Sequence, residues 1–376
     1  MQNKMIITSE SVGLGHPDKI CDQIADAILD ECLKQDPQAR VACEVFAHNR
    51  LIVIGGQITT KGYVDVVKVA WQVLKPLGYE ENDFSIISNI NKQSEDIANL
   101  VNKKENNKLG AGDQGMVFGY ATNITKEYMP LSIVVAHELL KEIEKLIKNK
   151  KLSYCKYDMK SQVSISYDNR KPTVESVIIS VQHKENVNLD KLRKDVKQLV
   201  IIPILKKHKL NTNCKLFINK YGKFVIGGPI GDTGLTGRKV MVDSYGSVAH
   251  HGGGAFSGKD PTKIDRTGAY FCRYIAKNIV AADLADRCEV RLDYCIGEPK
   301  PIGIYIDCFG TNKVSINKIY KAVEKTFDFD LYNIIKSLKL QSPIYKQTSV
   351  YGHFGKSGLS WEKLDKVSAL RRAIND

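Results

Sequence analysis

The most informative stretch of this chain is His250-His251-Gly252-Gly253-Gly254-Ala255-Phe256-Ser257-Gly258-Lys259-Asp260-Pro261-Thr262-Lys263-Ile264-Asp265-Arg266. It places four glycines, three strong cations and two carboxylates within seventeen residues. Glycines let backbone N–H groups approach a ligand closely, and the cations match phosphate oxygens. Asp260 and Asp265 are of the type that holds magnesium over phosphates. We expect a polyphosphate site with bound metal here; the alternative is a solvated glycine-rich turn.

A P-loop is the first motif that this stretch suggests, and two features argue against it. Gly253 to Lys259 fits G-x-x-x-x-G-K, but Asp260 stands where the pattern needs the Ser or Thr that binds magnesium. A P-loop also follows a buried strand directly, whereas the apolar run at 240–242 is separated from the glycines by residues 243–251. We therefore do not expect a P-loop NTPase.

Length and composition are those of a soluble globular protein. The 376 residues predict two or three domains, and the hydrophobic and charged fractions, 43% and 26%, are ordinary. No apolar run approaches the ~20 residues that span a bilayer, and the N-terminal apolar stretch is too short for a signal peptide. The nine cysteines include no C-x-x-C pair, which argues against disulfides and zinc. We expect a cytoplasmic protein.

The net charge of +13 raises the question of nucleic-acid binding. The excess is mostly lysine, spread over segments such as 103–104, 148–151 and 206–209, and no stripe of arginine and aromatic residues accompanies it. This distribution favours a solvated surface over a nucleic-acid interface. The same field would draw anionic substrates inward.

Hydrophobic periodicity predicts a mixed order of helices and strands. Helices are expected at 17–35, 64–76, 131–147, 189–205 and 267–285. Strands are expected at 41–45, 51–58, 162–167, 174–182, 288–296 and 303–309, with a strand–turn–strand at 216–226. Three successive blocks each contain both kinds of element, and neighbouring strands look hairpin-like. The pattern predicts an α+β fold with antiparallel sheets.

The first predicted helix carries an aspartate ridge formed by Asp18, Asp22, Asp26 and Asp30. Like charges at i, i+4 spacing repel one another mildly, so we expect the last three to be solvated. Asp18 differs because it lies in the first turn beside His16, where a metal or an anion is favoured. His16 itself, in the loop 13–19, precedes a helix N-terminus that stabilises developing negative charge. The alternative for His16 is a structural role.

Two further glycine-rich loops carry candidate ligands. Residues 110–115 match G-x-G-x-x-G literally, but no strand precedes them and no convincing helix follows, so a dinucleotide fold is not expected. That loop presents Asp113, which suits an ammonium group. The loop 227–239 presents Asp232 for ribose hydroxyls, and Arg238 and Lys239 for phosphates; the alternative is a plain connection between strands. The polar segment 92–109 has the composition and length of a lid.

Together, the stretches at 15–19, 110–122, 227–239 and 252–265 resemble those of S-adenosylmethionine synthetases, also called methionine adenosyltransferases. The resemblance runs from Thr8 to Gly355. It implies three similar α/β-mixed domains related by pseudo-threefold symmetry: an N-terminal domain at 1–100, a central domain at 101–227 and a C-terminal domain at 228–376. It also implies a homodimer with active sites between subunits, with a homotetramer as a further option.

The implied reaction is attack of the methionine sulfur on C5′ of ATP, which expels the whole tripolyphosphate. The tripolyphosphate is then cleaved to pyrophosphate and phosphate, and magnesium and potassium assist. A thioether is neutral and needs no general base, whereas the leaving group is highly anionic. Catalysis should therefore depend on cations, metals and positioning, which is what the motifs supply.

The resemblance assigns roles to matching residues. Catalysis would use His16, Lys160, Arg238 and Lys259, with His16 directed toward the leaving oxygen near C5′. ATP would contact these four and Asp158, Phe224, Asp232, Lys239, Ala255, Lys263 and Ile296. Methionine would contact Gln57, Gln93, Asp113, Asp232 and Lys263, with 92–109 as a gating loop. Asp18 and Asp265 would bind magnesium, and Glu44 would bind potassium.

Two departures from the family pattern concern substrate choice. The family usually has Glu where this chain has Gln57, and that glutamate pairs with the methionine ammonium group. It also usually has Glu where this chain has Leu14. A lost charge-assisted bond at Gln57 would cost on the order of 1–2 kcal/mol. Two alternatives to S-adenosylmethionine synthesis follow: adenosyl transfer to a methionine analogue with altered amino-group recognition, and an inactive regulatory paralogue.

Overall fold

The structure, a computed structural model, describes residues 5–92, 109–168 and 171–375. Strands β1 to β11 are Met5–Val12, Arg40–His48, Leu51–Thr59, Ser85–Asn91, Gly115–Thr122, Cys155–Asp168, Lys171–His183, Lys215–Ile218, Gly234–Leu235, Arg287–Tyr294 and Gly303–Asp307. Helices α1 to α10 are Pro17–Gln35, Val66–Leu74, Leu131–Lys148, Leu189–Val196, Ile202–Lys207, Val240–Asp243, Ile264–Ala281, Ile316–Thr326, Leu331–Ser337 and Val367–Asn375. The mixture of helices and sheets confirms the α+β fold. In these three ranges no helix is long and apolar enough to cross a membrane.

Each of the three sheets contains one strand from a different predicted domain. Their strand orders are β1-β6-β7-β8, β4-β3-β2-β9 and β11-β10-β5. The sheet of the central domain includes β1 from the N-terminal domain. The sheet of the N-terminal domain includes β9 from the C-terminal domain, and the sheet of the C-terminal domain includes β5 from the central domain. The domain boundaries at 100 and 227 stay a prediction, and this cyclic exchange fits the pseudo-threefold symmetry.

The prediction of antiparallel sheets is wrong for two strand pairs. β3 pairs with β4, and β7 with β8, in parallel. In both cases helices lie between the paired strands, α2 in the first and α4 with α5 in the second. A helical crossover returns the chain in its original direction, so the second strand runs parallel.

Most predicted elements are present, and the deviations have local causes. Helix α1 has the predicted bounds. The helix expected at 189–205 is interrupted by a π turn over Lys197–Ile201, just before Pro203, which has no N–H for the helical ladder. Only the first strand of the pair expected at 216–226 forms. Asn219 ends it in a left-handed conformation, φ 38°, and its side-chain amide bonds both backbone polar groups of Val181.

Helices α1 and α7 form the centre of the larger hydrophobic core. Both are buried along nearly their whole length, including polar positions. The apolar run at 240–242 is helical rather than a strand, and a strand rather than a helix follows the loop 110–115. Both findings agree with the exclusion of P-loop and dinucleotide folds.

Candidate active site

The aspartate ridge of α1 anchors the loops of the candidate site. The prediction that Asp22, Asp26 and Asp30 are solvated is wrong, since they are at most 8% exposed. All four ridge carboxylates accept backbone N–H groups from distant loops. The bonds come from Leu235 to Asp18 (3.0 Å), Gly237 to Asp22 (2.8 Å), Gly258 to Asp26 (2.9 Å) and Tyr345 to Asp30 (2.8 Å). The ridge thus fixes both cationic glycine loops, 227–239 and 250–266, along one helix.

Buried cations offset the buried ridge. Arg266 donates to both carboxylate oxygens of Asp26 at 2.8 Å, and both side chains are fully buried. Lys19, also fully buried, bonds Asp22 at 2.9 Å and forms a second ion pair with Asp243. Sequence reasoning assigned Arg266 to phosphate and did not assign Lys19 or Asp243. Arg266 is therefore a structural residue that joins α1 to the 250–266 loop.

The first group of site residues, the helix-end cluster, consists of His16, Asp18, Asp158, Lys160, Phe224, Asp232, Arg238 and Lys239. His16 caps α1: its Nδ1 accepts the N–H of Asp18 at 3.2 Å, which leaves the proton of the neutral ring on Nε2. Burial, together with Lys239, Lys160 and Lys19, lowers the pKa of His16 to about 2. His16 is therefore a neutral hydrogen-bond donor at physiological pH.

Asp18 holds the cations of the loop 227–239. Its carboxylate is 2% exposed and accepts the Nζ of Lys239 at 2.5 Å, and the Nε of Arg238 lies 3.6 Å away. The same carboxylate anchors Leu235. Two cations are thus held over the N-terminus of α1, where the helix dipole also favours an anion.

Asp158 is a buried carboxylate with spare bonding capacity. Its Oδ2 accepts the N–H of Gly228 at 2.8 Å, while Oδ1 is buried and has no hydrogen-bond partner in the structure. Burial raises its pKa to about 6. Gly227 packs against the same carboxylate, and Phe224, three residues earlier in the chain, bonds His183 through both of its backbone polar groups. A buried carboxylate with an unsatisfied oxygen suits a hydroxyl group of a ligand.

Asp232, Lys160 and Arg238 are the exposed members of this cluster. Lys160 lies on β6 opposite Val12, at the strand end that leads to His16. Lys160 and Asp232 are close enough to influence His16, since Lys160 lowers its pKa and Asp232 raises it. The structure therefore brings these predicted residues together at the end of α1.

The second group, the sheet-edge cluster, consists of Glu44, Gln57, Asp113, Ala255, Lys259, Lys263, Asp265 and Ile296. Lys259 forms an ion pair with Asp265 in which both side chains are about a quarter exposed. Gly254 leaves the carboxyl of Asp265 uncovered, because a Cβ there would lie 2.3 Å from its Oδ1. The pair is therefore accessible to a ligand.

Asp260 does not have the metal-binding role expected from the sequence. It is fully buried, and its oxygens accept the N–H of Val41 at 2.6 Å and both the N–H and hydroxyl of Thr262. It also forms an ion pair with Lys263. Asp260 thus fixes the loop to β2 and positions Lys263.

Strand β2 connects the two clusters. On one edge Ala42 bridges Lys259, and four residues further Phe46 pairs with Leu235, so the two glycine loops meet this edge about 13 Å apart. On the other edge Ala42 pairs with Gln57. Directly opposed residues share a sheet face, so Gln57 lies on the same face as Lys259. Glu44 lies on that face between the two loops, and is exposed.

Asp113 and Ile296 belong with the sheet-edge cluster. Gly112 and Gly115, on either side of Asp113, pack against Thr262 and Ile264 at the start of α7. The loop that carries Ile296 bonds Ala111 through Gly297. Asp113 is exposed, and Ala255 packs against Gly237 of the other loop. Gln93 and nearly all of the gating loop 92–109 lie outside the described residues.

The donor set fits magnesium held mainly by substrate. Within residues 5–92, 109–168 and 171–375, no group of three or more His, Cys, Asp or Glu side chains could enclose a metal ion. Magnesium is commonly bound by one or two carboxylates together with phosphate oxygens. Asp18 and the uncovered carboxyl of Asp265 each offer one such carboxylate beside lysines of the type that binds phosphate.

Comparisons with known proteins match almost the whole chain. Residues 4–102, 108–224 and 226–363 match the N-terminal, central and C-terminal domains of S-adenosylmethionine synthetase. The S-adenosylmethionine synthase of Mycoplasmopsis pulmonis is 54% identical, over 98% of this chain and 99% of the relative. Those of Mycoplasma capricolum and Finegoldia magna are 52% and 48% identical, over 98% of this chain and 97% and 99% of theirs.

Proposed function

Since the chain belongs to the S-adenosylmethionine synthetase family and is a methionine adenosyltransferase, we propose a division of work between its two clusters. The helix-end cluster binds the nucleoside and the leaving oxygen, and the sheet-edge cluster binds methionine and the outer phosphates. The supporting observation is that one buried aspartate ridge fixes two cationic glycine loops. The two alternatives, a methionine analogue and an inactive paralogue, are not favoured by relatives that are named S-adenosylmethionine synthases.

In this proposal the chemical step needs no base. The sulfur lone pair of methionine attacks C5′ of ATP, the C5′–O bond breaks, and the tripolyphosphate leaves. His16, neutral and with its proton on Nε2, donates a hydrogen bond to the leaving oxygen. Lys160, Arg238, Lys239, Lys259 and Lys263 stabilise the negative charge that develops on the leaving group. Cleavage of the tripolyphosphate to pyrophosphate and phosphate follows in the same cationic environment.

The residues that would hold the ions are Asp18 and Asp265 for magnesium and Glu44 for potassium. Bound magnesium neutralises phosphate charge and orients the phosphates. Asp18 and Asp265 contribute even without the ion, because each holds a lysine next to the place where phosphates would bind. Glu44 lies on the sheet face between the two loops, where it adds a negative charge.

Substrate contacts divide in the same way. Asp158 and Asp232 bind the ribose, and Phe224 packs on the adenine. Methionine meets Asp113, Asp232 and Lys263, with Gln57 and Gln93 as neutral partners. In this arrangement Asp113 supplies the carboxylate for the methionine ammonium group, and Gln57 accepts a hydrogen bond through its carbonyl.

A homodimer explains why the adenine contacts are divided between clusters. Phe224 lies in the helix-end cluster and Ile296 in the sheet-edge cluster, so one adenine would contact both if the clusters came from different chains. Exposed apolar side chains on the sheets also suit a partner: Phe46 is 39% exposed, Ile87 54% and Met116 53%. We propose a dimer with shared sites, with a tetramer as a further option, in the cytoplasm.

Product analysis tests the proposed reaction. The protein is incubated with ATP, L-methionine, magnesium and potassium, and the products are identified by mass spectrometry. We expect S-adenosylmethionine, pyrophosphate and phosphate. Pyrophosphate and phosphate without the sulfonium product would contradict the proposal. A comparison of methionine with its des-amino analogue, in the parent and in Gln57→Glu, measures how much the neutral Gln57 relaxes amino-group recognition.

Mixing two inactive variants tests the shared site. A His16→Asn chain and a Lys259→Gln chain are unfolded together and refolded. If each site uses the helix-end cluster of one chain and the sheet-edge cluster of its partner, a mixed dimer contains one intact site. Random pairing would then restore about a quarter of the parental activity. No recovery from a mixture that contains dimers would place both clusters of a site in one chain.

A further inference from the structure

A groove outside both clusters has an unusual lining. It has a volume of 820 Å³ and lies between α3 and the segment 343–356, with one side of α1 as its floor. That volume is in the range of small-molecule sites. Five of its lining residues are lysines, whereas two are acidic. The lysines are Lys141, Lys145, Lys148, Lys346 and Lys356, and the acids are Asp30 and Glu144.

The acidic groups of the groove are already engaged. Asp30 accepts the backbone N–H groups of Tyr345 and Lys346, at 2.8 and 2.9 Å. Glu144 bonds Lys148 and the hydroxyl of Tyr351. These contacts leave the carboxylates little capacity to neutralise the other cations.

Three of the groove lysines form no ion pair. In the described ranges no ion pair involves Lys141, Lys346 or Lys356. Lys141 lies over the ring of Tyr351, 5.6 Å from its centroid, and Lys356 donates to the carbonyl oxygens of Gln347 and Val350 at 2.7 and 2.6 Å. Burial, with the nearby Lys141 and Lys19, lowers the pKa of Lys356 to about 7. An anion would relieve this repulsion.

The rest of the lining is apolar. Leu14, Ile344 and Val350 contribute aliphatic surface, and Tyr351 contributes a ring. Such walls suit the organic part of a ligand, while bare phosphate would use only the lysines. The groove also reaches the active-site loop, because Gln23 in its floor donates to the carbonyl of Leu14 at 2.7 Å, two residues before His16.

We propose that this groove is a second anion site, which binds a small organic phosphate. The phosphate contacts Lys141, Lys346 and Lys356, and the organic part packs against Leu14 and Tyr351. The site is separate from the ATP site and does not depend on the proposed function.

Pyridoxal 5′-phosphate is a suitable probe because it combines a phosphate, a ring and an amine-reactive aldehyde. The neutral Nζ of a lysine adds to the aldehyde carbon and water leaves, which forms an imine. Borohydride then delivers hydride to the imine carbon and leaves a stable secondary amine. The full-length protein is labelled without ATP, which as an organic phosphate would also compete for the groove, and the modified lysines are mapped by mass spectrometry so that groove and active-site lysines are scored separately.

We expect Lys141 or Lys356 to be labelled at least about tenfold faster than the exposed Lys321 on α8, since a phosphate held by charged partners raises the local probe concentration. Phenyl phosphate should compete at lower concentration than inorganic phosphate. Labelling no faster than at Lys321 would overturn the site. Equal competition by the two phosphates would overturn the organic part of the assignment.

Substitutions distinguish a lysine that contacts the phosphate from a lysine that reacts with the aldehyde. Lys346→Gln removes a phosphate contact but no reactive amine that we expect to be labelled, so it should slow labelling of the groove about tenfold. Lys321→Gln is the matched control and should change nothing. His16→Asn, which disables the active site, should leave groove labelling unchanged. Parental labelling of Lys346→Gln, or loss of groove labelling in His16→Asn, would refute a separate anion site.

Discussion

The loop that ends at Lys239 and the loop that carries Lys259 are fixed to the same helix, yet they hold their lysines differently. Lys239 pairs with Asp18, a carboxylate 2% exposed that also anchors Leu235. Lys259 pairs with Asp265, which is 27% exposed and lies beside a glycine that leaves it uncovered. The first pair is part of the folded framework. The second is partly exposed, and under the proposed function a phosphate would replace it.

This difference suggests how the site combines preorganisation with turnover. Donors and cations that are fixed before the reaction stabilise a developing anion without reorganisation, which would describe the neutral donor His16 and the Lys239 cation that Asp18 holds in place. Lysines that are loosely paired can exchange a carboxylate for a phosphate and later release it. The two loops would then act in different stages, the first at the breaking bond and the second in holding and releasing the phosphate chain.

The largest expected effect concerns the attachment of the 250–266 loop to α1. Asp26→Asn leaves the guanidinium of Arg266 buried without its charge partner, and such losses cost about 3–5 kcal/mol. We expect the free energy of unfolding, measured in urea, to fall by that amount. Asp190→Asn, which removes an exposed partner of Arg193, is the control and should have little effect. If the two substitutions lower the stability equally, Asp26 is not what attaches the 250–266 loop to α1.

The next largest effect concerns the breaking of the C5′–O bond, where His16 is the proposed donor. His16→Asn removes the donor at the leaving oxygen, and loss of one such donor lowers kcat by about 10²–10³-fold. Because the pKa of His16 is about 2, the parental rate should show no inflection from this residue between pH 6 and 9. His208→Asn, remote from both clusters, should keep the parental kcat. A pH–rate inflection near 6.5 that His16→Asn abolishes would contradict the neutral donor.

The third prediction concerns the stability cost of the buried carboxylate of Asp158, the proposed ribose contact. The native pKa of Asp158 is about 6 against an ordinary 3.8, so the folded protein retains a proton that the unfolded chain releases. Its contribution to stability is therefore present below about pH 4 and lost as pH rises through about 6. At 1.4 kcal/mol per pKa unit, the charged carboxylate costs the fold about 3 kcal/mol at pH 7.5.

Asp158→Asn should remove that cost. We expect higher stability than the parent at pH 7.5, no difference below pH 4, and weaker ATP binding, measured by urea unfolding and calorimetry. Asp232→Asn, at an exposed carboxylate of the same cluster, should weaken ATP binding without stabilising the fold. An Asp158→Asn protein that is less stable at pH 7.5 would show that the carboxylate is needed by the fold rather than by the nucleotide.

The sequence could predict features whose causes are local. Helix α1 has its predicted bounds because Pro17 and a regular apolar stripe define it. The glycine loops and their cations were also recognisable, because close backbone approach and phosphate binding need those residue types. The departure at Gln57 was visible as a single substitution.

The roles of Asp22, Asp26, Asp260 and Arg266 could not be read in the same way. A ridge of aspartates at i, i+4 looks the same whether water or backbone N–H groups satisfy it. The ridge partners in question lie 215 to 315 residues away in the chain. Charge alone likewise could not distinguish Arg266, which is fully buried and holds the fold, from Lys259, which is partly exposed. Only the tertiary structure separates these roles.

The smallest expected effect compares the stability contributions of Lys239 and Lys259. Lys239→Gln leaves the buried Asp18 with only the more exposed Arg238, 3.6 Å away, and loss of a partner at a buried charged group costs about 1–3 kcal/mol. Lys259→Gln leaves Asp265 partly hydrated, so the cost should stay below about 1 kcal/mol. Both variants lose a phosphate contact, so both should bind ATP more weakly in calorimetry. Urea unfolding should nevertheless separate them, with Lys239→Gln clearly less stable. Equal losses of stability would mean that the 250–266 loop is as much a part of the folded framework as the loop 227–239. The lysines of the 250–266 loop would then not be free to exchange partners during turnover.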